Sequence, residues 1–440
     1  MKKLAITIIA LLLVGSAAAW FFLGGGDKAR DVLPADATTV AVFEPSELTE
    51  GLGISWERVE KLVLNFKDFT EGIDLAKPVY AFASERGFSG LALNVKDKET
   101  LLKAFSGVGY ASEEEQGFQW IADKNSIGCT DGDKLLLIAP VPEAQQDALR
   151  PEMVKLMEQG RQDVPALSRV EKRKGFLRMS ASVSGAGTVD AGLSIGERDI
   201  TFSAEATELS SPAEKAVDVL SPIAGLLPTI GAEKPFCWIY MNVNGEKLLP
   251  VLRSNPQIRN MLMGLNVGVL DADLILKAID GDIMIAMPTL NLRHPEVYGA
   301  ISVTNTDFLA NADDWAGLTR IGDQDYVIPV GGTRLFFRDC GGALFFATTR
   351  ELFDRYLGED NGPGLHADAA GRYLSGSVDV NGVVRSNPSV AILLAAMPSL
   401  AEAIGAAGSL NVTADTPRSI ELRLTTNKPV REIITSILPQ

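Results

Sequence analysis

Apolar positions along this chain fall into two kinds of pattern, short runs that alternate with polar residues and longer stretches at helical spacing. Residues 39–43 (Thr-Val-Ala-Val-Phe), 79–83 and 89–95 are of the first kind and predict strands. Trp56, Val59, Leu62, Val63, Phe66 and Phe69 are of the second kind and predict an amphipathic helix with Ser55 as its N-cap. Asp97 predicts the cap of a short helix that turns Leu101, Leu102 and Phe105 inward, and residues 143–159 predict another. Strands are expected over 176–183 and 200–207, with a helix over 213–220.

Residues 333–349 place two apolar runs about Asp339-Cys340-Gly341-Gly342, the pattern of a β-hairpin. A twin occupies 124–140, where Ile127-Gly128 passes through Cys129-Thr130-Asp131-Gly132 into Leu135-Leu136-Leu137-Ile138. Neighbouring elements recur in the same order. Ala92-Leu93-Asn94-Val95 is answered by Ala300-Ile301-Ser302-Val303, Ile73-Asp74 by Ile279-Asp280, and Phe176-Leu177 by Tyr373-Leu374. The later strand with Ile200 and Phe202 is answered by Ile420 and Leu422, with a helix over 430–438 closing the second copy. The expectation is an α+β fold, internally duplicated, with largely antiparallel sheets whose helices cover one face. Residues 1–32 are read as an export or membrane-anchor segment and linker, 33–230 as the first repeat and 231–440 as the second.

Lys2 and Lys3 precede an uncharged run over 4–23, long enough to cross a bilayer as a helix with its start on the cytoplasmic side. Trp20-Phe21-Phe22-Leu23 favours an uncleaved transmembrane anchor, while Ala17-Ala18-Ala19 offers a signal-peptidase site. Both place the body outside the cytoplasm, anchored at the inner membrane or, after cleavage at Ala19, periplasmic or secreted.

Composition narrows the chemistry. With 46 % hydrophobic and 22 % charged residues the chain reads as folded, and 56 acidic against 41 basic residues give a net charge of −15 that repels nucleic acid. The basic run Arg169, Lys172, Arg173, Lys174 and Arg178 reads as a solvated, loop-side face. Cys129, Cys237 and Cys340 lack metal-ligand spacing and read as small buried apolar residues, with a single disulfide as the alternative.

Gly192-Leu193-Ser194-Ile195-Gly196 fits a nucleophile-elbow pattern, yet alternation continues after it, so Ser194 is expected in a hairpin turn. His294 and His366, the two histidines, are the candidate partners for a triad. Asp280 and Asp282, with Asp271 and Asp273 nearby, read as an Asp-Gly-Asp turn, with a hard-cation site as the alternative. No catalytic, metal or cofactor residues are assigned.

Val243-Asn244-Gly245 with Arg253-Ser254-Asn255-Pro256 is echoed by Val380-Asn381-Gly382 with Arg385-Ser386-Asn387-Pro388. Each Asn-Pro step is expected to start a helix, and Arg253 and Arg385 are the candidates for holding an anionic ligand. Apolar stretches over 219–230, with Leu226 and Leu227, and 390–404, with Leu393 and Leu394, are read as buried helices or as the facing walls of an apolar groove.

The basic start, the apolar export segment and the Leu33-Pro34-Ala35-Asp36-Ala37 opening followed at once by a strand resemble a family of uncharacterised Bacteroidetes envelope proteins, classified as a domain of unknown function. Those proteins are often lipoproteins, and this chain differs in having no cysteine after the apolar run to carry the lipid. The resemblance implies an exported protein and carries over no functional residues. The functional expectation is a non-enzymatic envelope binding or scaffolding protein, attached to the membrane by its N-terminal segment and partnered by an envelope protein or apolar ligand. The alternative is an exported hydrolase using Ser194 or a carboxylate pair.

Overall fold

The computed structural model describes residues 28–55, 67–225, 227, 235–268, 272–290, 296–309, 318–330, 333–356, 369–382 and 398–437. Two compact units divide the chain, one of residues 1–208 with 428–440 and one of residues 209–427.

In the first unit β1 (Ala37–Phe43) precedes helices α1 (Pro45–Leu52) and α2 (Lys67–Gly72). Strands β2 (Val79–Ser84) and β3 (Ser89–Asn94) follow, then α3 (Lys98–Gly107), whose first turn is held by Asp97 accepting from the Glu99 and Thr100 N–H groups, as its sequence predicts. Four strands come next: β4 (Ala111–Glu115), β5 (Phe118–Ala122), β6 (Ile127–Thr130) and β7 (Lys134–Ile138). After helices α4 (Glu143–Glu158) and α5 (Pro165–Val170), strands β8 (Leu177–Val183), β9 (Gly187–Ile195) and β10 (Asp199–Leu209) complete the set. Their spatial order is β10-β9-β8-β1-β2-β3-β7-β6-β5-β4, with antiparallel registers from β9 through to β4.

Alternation sends Val42, Tyr80, Phe82, Leu136 and Ile138 to one sheet face, where they bury against Met153, Leu156 and Met157 of α4 and Leu167 of α5. Val79, Ala81, Leu91, Leu135 and Leu137 bury on the other face against Leu101 and Phe105 of α3. Helices therefore cover both faces, where the sequence reading expected one. The near-continuous apolar runs of β2 and β7 follow from that, because every residue of the two strands except the half-buried Ala83 is buried.

The Leu33–Ala37 opening has a structural role. Leu33 is fully buried, and the Asp36 carboxylate accepts from Arg86 Nε at 2.8 Å, Arg86 NH2 at 3.0 Å and Ser84 Oγ at 2.9 Å. It clamps the β2–β3 turn to the start of β1.

The second unit opens with α6 (Ser211–Val217) and the two-residue strand Leu220–Ser221. Then come β11 (Cys237–Asn244), helices α7 (Gly245–Ser254), α8 (Pro256–Gly268) and α9 (Ala272–Ala278), β12 (Ile279–Met287) and β13 (Tyr298–Val303). Strands β14 (Thr319–Arg320), β15 (Asp325–Val330), β16 (Thr333–Asp339) and β17 (Ala343–Ala347) lead to α10 (Arg350–Tyr356) and β18 (Leu374–Asp379). Helix α11 (Pro398–Ala406) and strands β19 (Ala407–Ala414) and β20 (Ser419–Thr426) finish it. The order is β20-β19-β18-β11-β12-β13-β17-β16-β15-β14, antiparallel throughout. Its core joins Tyr240, Met284, Tyr298 and Phe345 to Leu352 and Phe353 of α10. The last helix, α12 (Val430–Ile437), belongs to the first unit, where Val430 buries beside Leu52 and Ile54.

The expected transmembrane helix is corrected: no helix among the described residues is long and apolar enough to cross a membrane, and residues 4–23 lie outside the described residues. Most of the helix expected from Trp56 to Phe69 also lies outside them. The basic run is not simply solvated. Arg169 donates to Ser180 Oγ at 3.0 Å, Arg173 to Glu205 at 2.6 Å, and Arg178 pairs with Glu44.

Candidate functional site

Two clefts of about 560 Å³ lie in the second unit, at opposite ends of β11 and β12. Both follow from how those two strands are paired.

At the C-terminal end of β11, alternation puts Tyr240 and Asn242 on one face, and the antiparallel register sets Asn242 opposite Asp282. Asp282 is buried, and its carboxylate accepts from the Ala224 N–H at 2.9 Å, Asn242 Nδ2 at 2.9 Å and Tyr240 OH at 3.1 Å. Burial, and then the neighbouring Asp282 charge, raises the Tyr240 phenol above its ordinary pKa, so it stays a donor. Asp280 is exposed and accepts from Asn244 Nδ2 at 3.1 Å. The two acids therefore differ in kind. The Asp-Gly-Asp segment is a bulge within β12, with Gly281 at φ 124°, and not the expected turn. Ser302 and the Cys340-Gly341-Gly342 turn complete this cleft. Lone pairs that a hard cation would use on Asp282 are taken by protein donors, and no group of three His, Cys, Asp or Glu able to hold a metal occurs among the described residues.

The other cleft lies where β11 begins and β12, β18 and β20 end. Phe236 and Pro288 supply an apolar wall, while Thr289, Asp379, Asn381, Ser409, Thr425 and Asn427 supply hydroxyl, amide and carboxylate groups. Side chains here are held in place. Thr425 Oγ1 accepts from the Ser409 N–H at 2.9 Å and donates to the Ser409 carbonyl at 3.1 Å. Asn381 Nδ2 donates to the Gly405 and Ala407 carbonyls, and the Asp379 N–H donates to the Phe236 carbonyl at 2.8 Å. A Cβ on Gly382 would come within 2.8 Å of the Phe236 ring, so glycine there lets the ring keep its place. Nothing in the sequence pattern marks these residues as a group, because they are gathered by strand pairing from five separate segments.

The residues singled out by sequence are not brought together. Leu226, Arg385, Leu393 and Leu394 lie outside the described residues, as do His294, His366 and Asp271. Leu227 is buried in the core beside Ile223 and Tyr240, and Arg253 is paired with Asp273. Asn244 caps α7 through Lys247 N at 2.9 Å, and Asn255 caps α8 through Gln257 N at 2.9 Å, with Pro256 first in that helix. In the first unit Ser194 lies within β9, not in a turn, and its hydroxyl donates to the Thr201 carbonyl at 3.5 Å. No helix follows it, so the strand-to-helix elbow does not form. Of the cysteines, Cys129 is buried as expected, Cys237 is half-buried, and Cys340 is exposed at its hairpin turn; all three are free thiols.

No family model and no curated protein matches the chain. Among solved structures, crystal form IV of TP0453 is similar to part of it, at 13 % identity and a TM-score of 0.30 over 40 % of this chain and 79 % of that one. Crystal form III of TP0453 gives 13 % identity and a TM-score of 0.32 over 44 % of this chain and 86 % of that one. At these TM-scores the likeness assigns neither fold nor function to this chain.

Proposed function

We propose that this is an exported, non-enzymatic envelope binding protein, built by internal duplication of one α+β unit, in which the second copy has diverged to hold a ligand. The duplication is supported by strand order, since, apart from the two-residue strand Leu220–Ser221 that pairs with the end of β11, the ten strands of each unit neighbour one another in the same order. Individual backbone bonds agree with it. Val95 N–H donates to the Asp133 carbonyl at 2.9 Å and Val303 N–H to the Gly342 carbonyl at 2.9 Å; Ala139 donates to Ser89 at 3.0 Å and Thr348 to Val297 at 2.9 Å. Export is supported by Lys2 and Lys3 before an apolar run.

The observation that carries the binding role is where the copies differ. In the first unit β8 and β9 are joined by a turn closed by Ala186 N–H to the Val183 carbonyl at 3.0 Å. The corresponding connection in the second unit runs from residue 380 to 406 and contributes Asn381 and Gly382 to a cleft. At the other strand end, Asn94 and Lys134 are paired in register and buried, with Lys134 Nζ donating to the Met157 carbonyl at 2.7 Å. Ser302 and Ala343 hold the paired positions in the second unit, and they line its other cleft. Longer connections inside a compact domain concentrate function.

Native purification of the full chain, followed by extraction and mass spectrometry, tests this reading together with ester and amide hydrolysis assays of the wild type and Ser194→Ala. The expected result is a specific small molecule and no Ser194-dependent turnover. An empty protein, or hydrolysis abolished by Ser194→Ala, would overturn it.

A further inference from the structure

We infer that the cleft between Phe236, Asp379 and Thr425 takes a neutral polyhydroxylated ligand, a saccharide unit. This rests on the binding role proposed above and names the ligand class. The lining itself discriminates among ligand chemistries. Neither lysine nor arginine is among the described lining residues, and their one ionisable group is the Asp379 carboxylate, so the described wall suits a neutral ligand better than an anionic one. Half of the twelve described lining residues bear hydroxyl, amide or carboxylate groups, so a purely apolar ligand would strip water from polar atoms and give nothing back. One carboxylate falls short of the oxygen cage a hard cation requires.

What the cleft offers is a ring face beside fixed polar groups. The Phe236 ring, with Pro288 beside it, presents the kind of flat apolar surface that the C–H face of a sugar ring covers. Asp379 can accept hydroxyl protons, and the Thr289 hydroxyl and Asn427 amide both donate and accept, as vicinal hydroxyls do. Asn381 and Thr425 are anchored through backbone carbonyls and N–H groups, so the polar wall is preorganised. The volume of about 560 Å³ lies within the range of small-ligand pockets. In the first unit the same strand registers put Thr38 where Phe236 stands and Ser184 where Asn381 stands, so the ring face is missing there and one saccharide site per chain is expected.

The test is calorimetric titration of the full chain with a panel of neutral sugars: N-acetylglucosamine, mannose, maltose and cellobiose. At least one is expected to bind with a stoichiometry of one. Thr289 is exposed, so Thr289→Arg obstructs the cleft without touching the core and should abolish binding. Phe236→Leu removes the ring face and should weaken binding by about tenfold. Binding that survives Thr289→Arg would overturn the proposal, as would failure of every sugar. If the sugars fail while native extraction returns a ligand of another class, the saccharide assignment falls and the binding role stands. If both return nothing, both fall.

Discussion

Asp282→Ala is the substitution that most sharply separates the two acids of the β12 bulge. Removing the carboxylate leaves the Ala224 N–H, the Asn242 amide and the Tyr240 hydroxyl without their acceptor. A buried donor left unsatisfied costs about 1–3 kcal/mol. Ala224 and Asn242 line the adjoining cleft and are partly rehydrated, whereas the buried Tyr240 hydroxyl bears most of the penalty, so the net loss is expected to be about 3 kcal/mol. For a domain of this size, each kcal/mol lowers Tm by about 2–4 °C, which makes the shift about 6–12 °C. Asp280→Ala, at an exposed position with one side-chain hydrogen bond, should cost under about 1 kcal/mol. Urea unfolding and thermal melts of the two variants decide the matter. A loss below about 1 kcal/mol for Asp282→Ala would refute the reasoning. So would equal losses for both variants that appear only when calcium is present, as a shared cation site requires.

Further outcomes follow from other positions. Gly245→Ala would place a Cβ 1.8 Å from the Leu276 carbonyl oxygen, so it should destabilise by at least about 2 kcal/mol in urea unfolding, whereas Gly107→Ala, with open space at the end of α3, should be neutral or stabilising by about 0.5 kcal/mol. Arg86, and then Ser84, hold the Asp36 carboxyl below its usual range. Because the folded value is depressed, this contribution is present above the unfolded pKa of about 3.9 and is lost as pH falls through the folded value. Asp36→Asn should therefore lower the urea midpoint at pH 7 and flatten its decline below about pH 4, and an unchanged acid limb would contradict the pairing. Burial pushes the Cys129 thiol up to about 12, so at pH 8 a thiol-specific reagent should label exposed Cys340 rapidly and Cys129 only on unfolding. Loss of the rapid phase in Cys340→Ser checks the assignment.

Local periodicity revealed most of the strands because each carries its own pattern, and the hairpins at 127–138 and 333–347 were legible for that reason. Glycine as punctuation holds at Gly132 and Gly341-Gly342, which turn the two hairpins, and fails at two other positions. Gly192 sits inside β9 because a Cβ there would come within 2.6 Å of the Lys174 carbonyl oxygen, so it marks close backbone approach and not a turn. Gly281 likewise marks a bulge. Cys340 looked apolar by its neighbours Phe336, Phe337, Leu344 and Phe345, yet it lies at the exposed tip between their strands.

Features that depend on register were hidden. Asp282 is defined by which residue of β11 stands opposite it, although Tyr240 and Asn242 at alternate positions were a usable hint of a polar pair on one face. The placement of α12 with the first unit rests on contacts between Val430 and Leu52, positions far apart in the chain that no local pattern links. The polar cleft beside Phe236 is assembled from segments that individually look like ordinary strand ends.

Hydrogen–deuterium exchange of the full chain, with and without the sugar that binds tightest, tests the central claim most directly. The account expects slowed exchange at residues 235–237, 288–290 and 407–409, with the first unit unchanged. Uniform exchange in both states, or protection confined to the first unit, would contradict it.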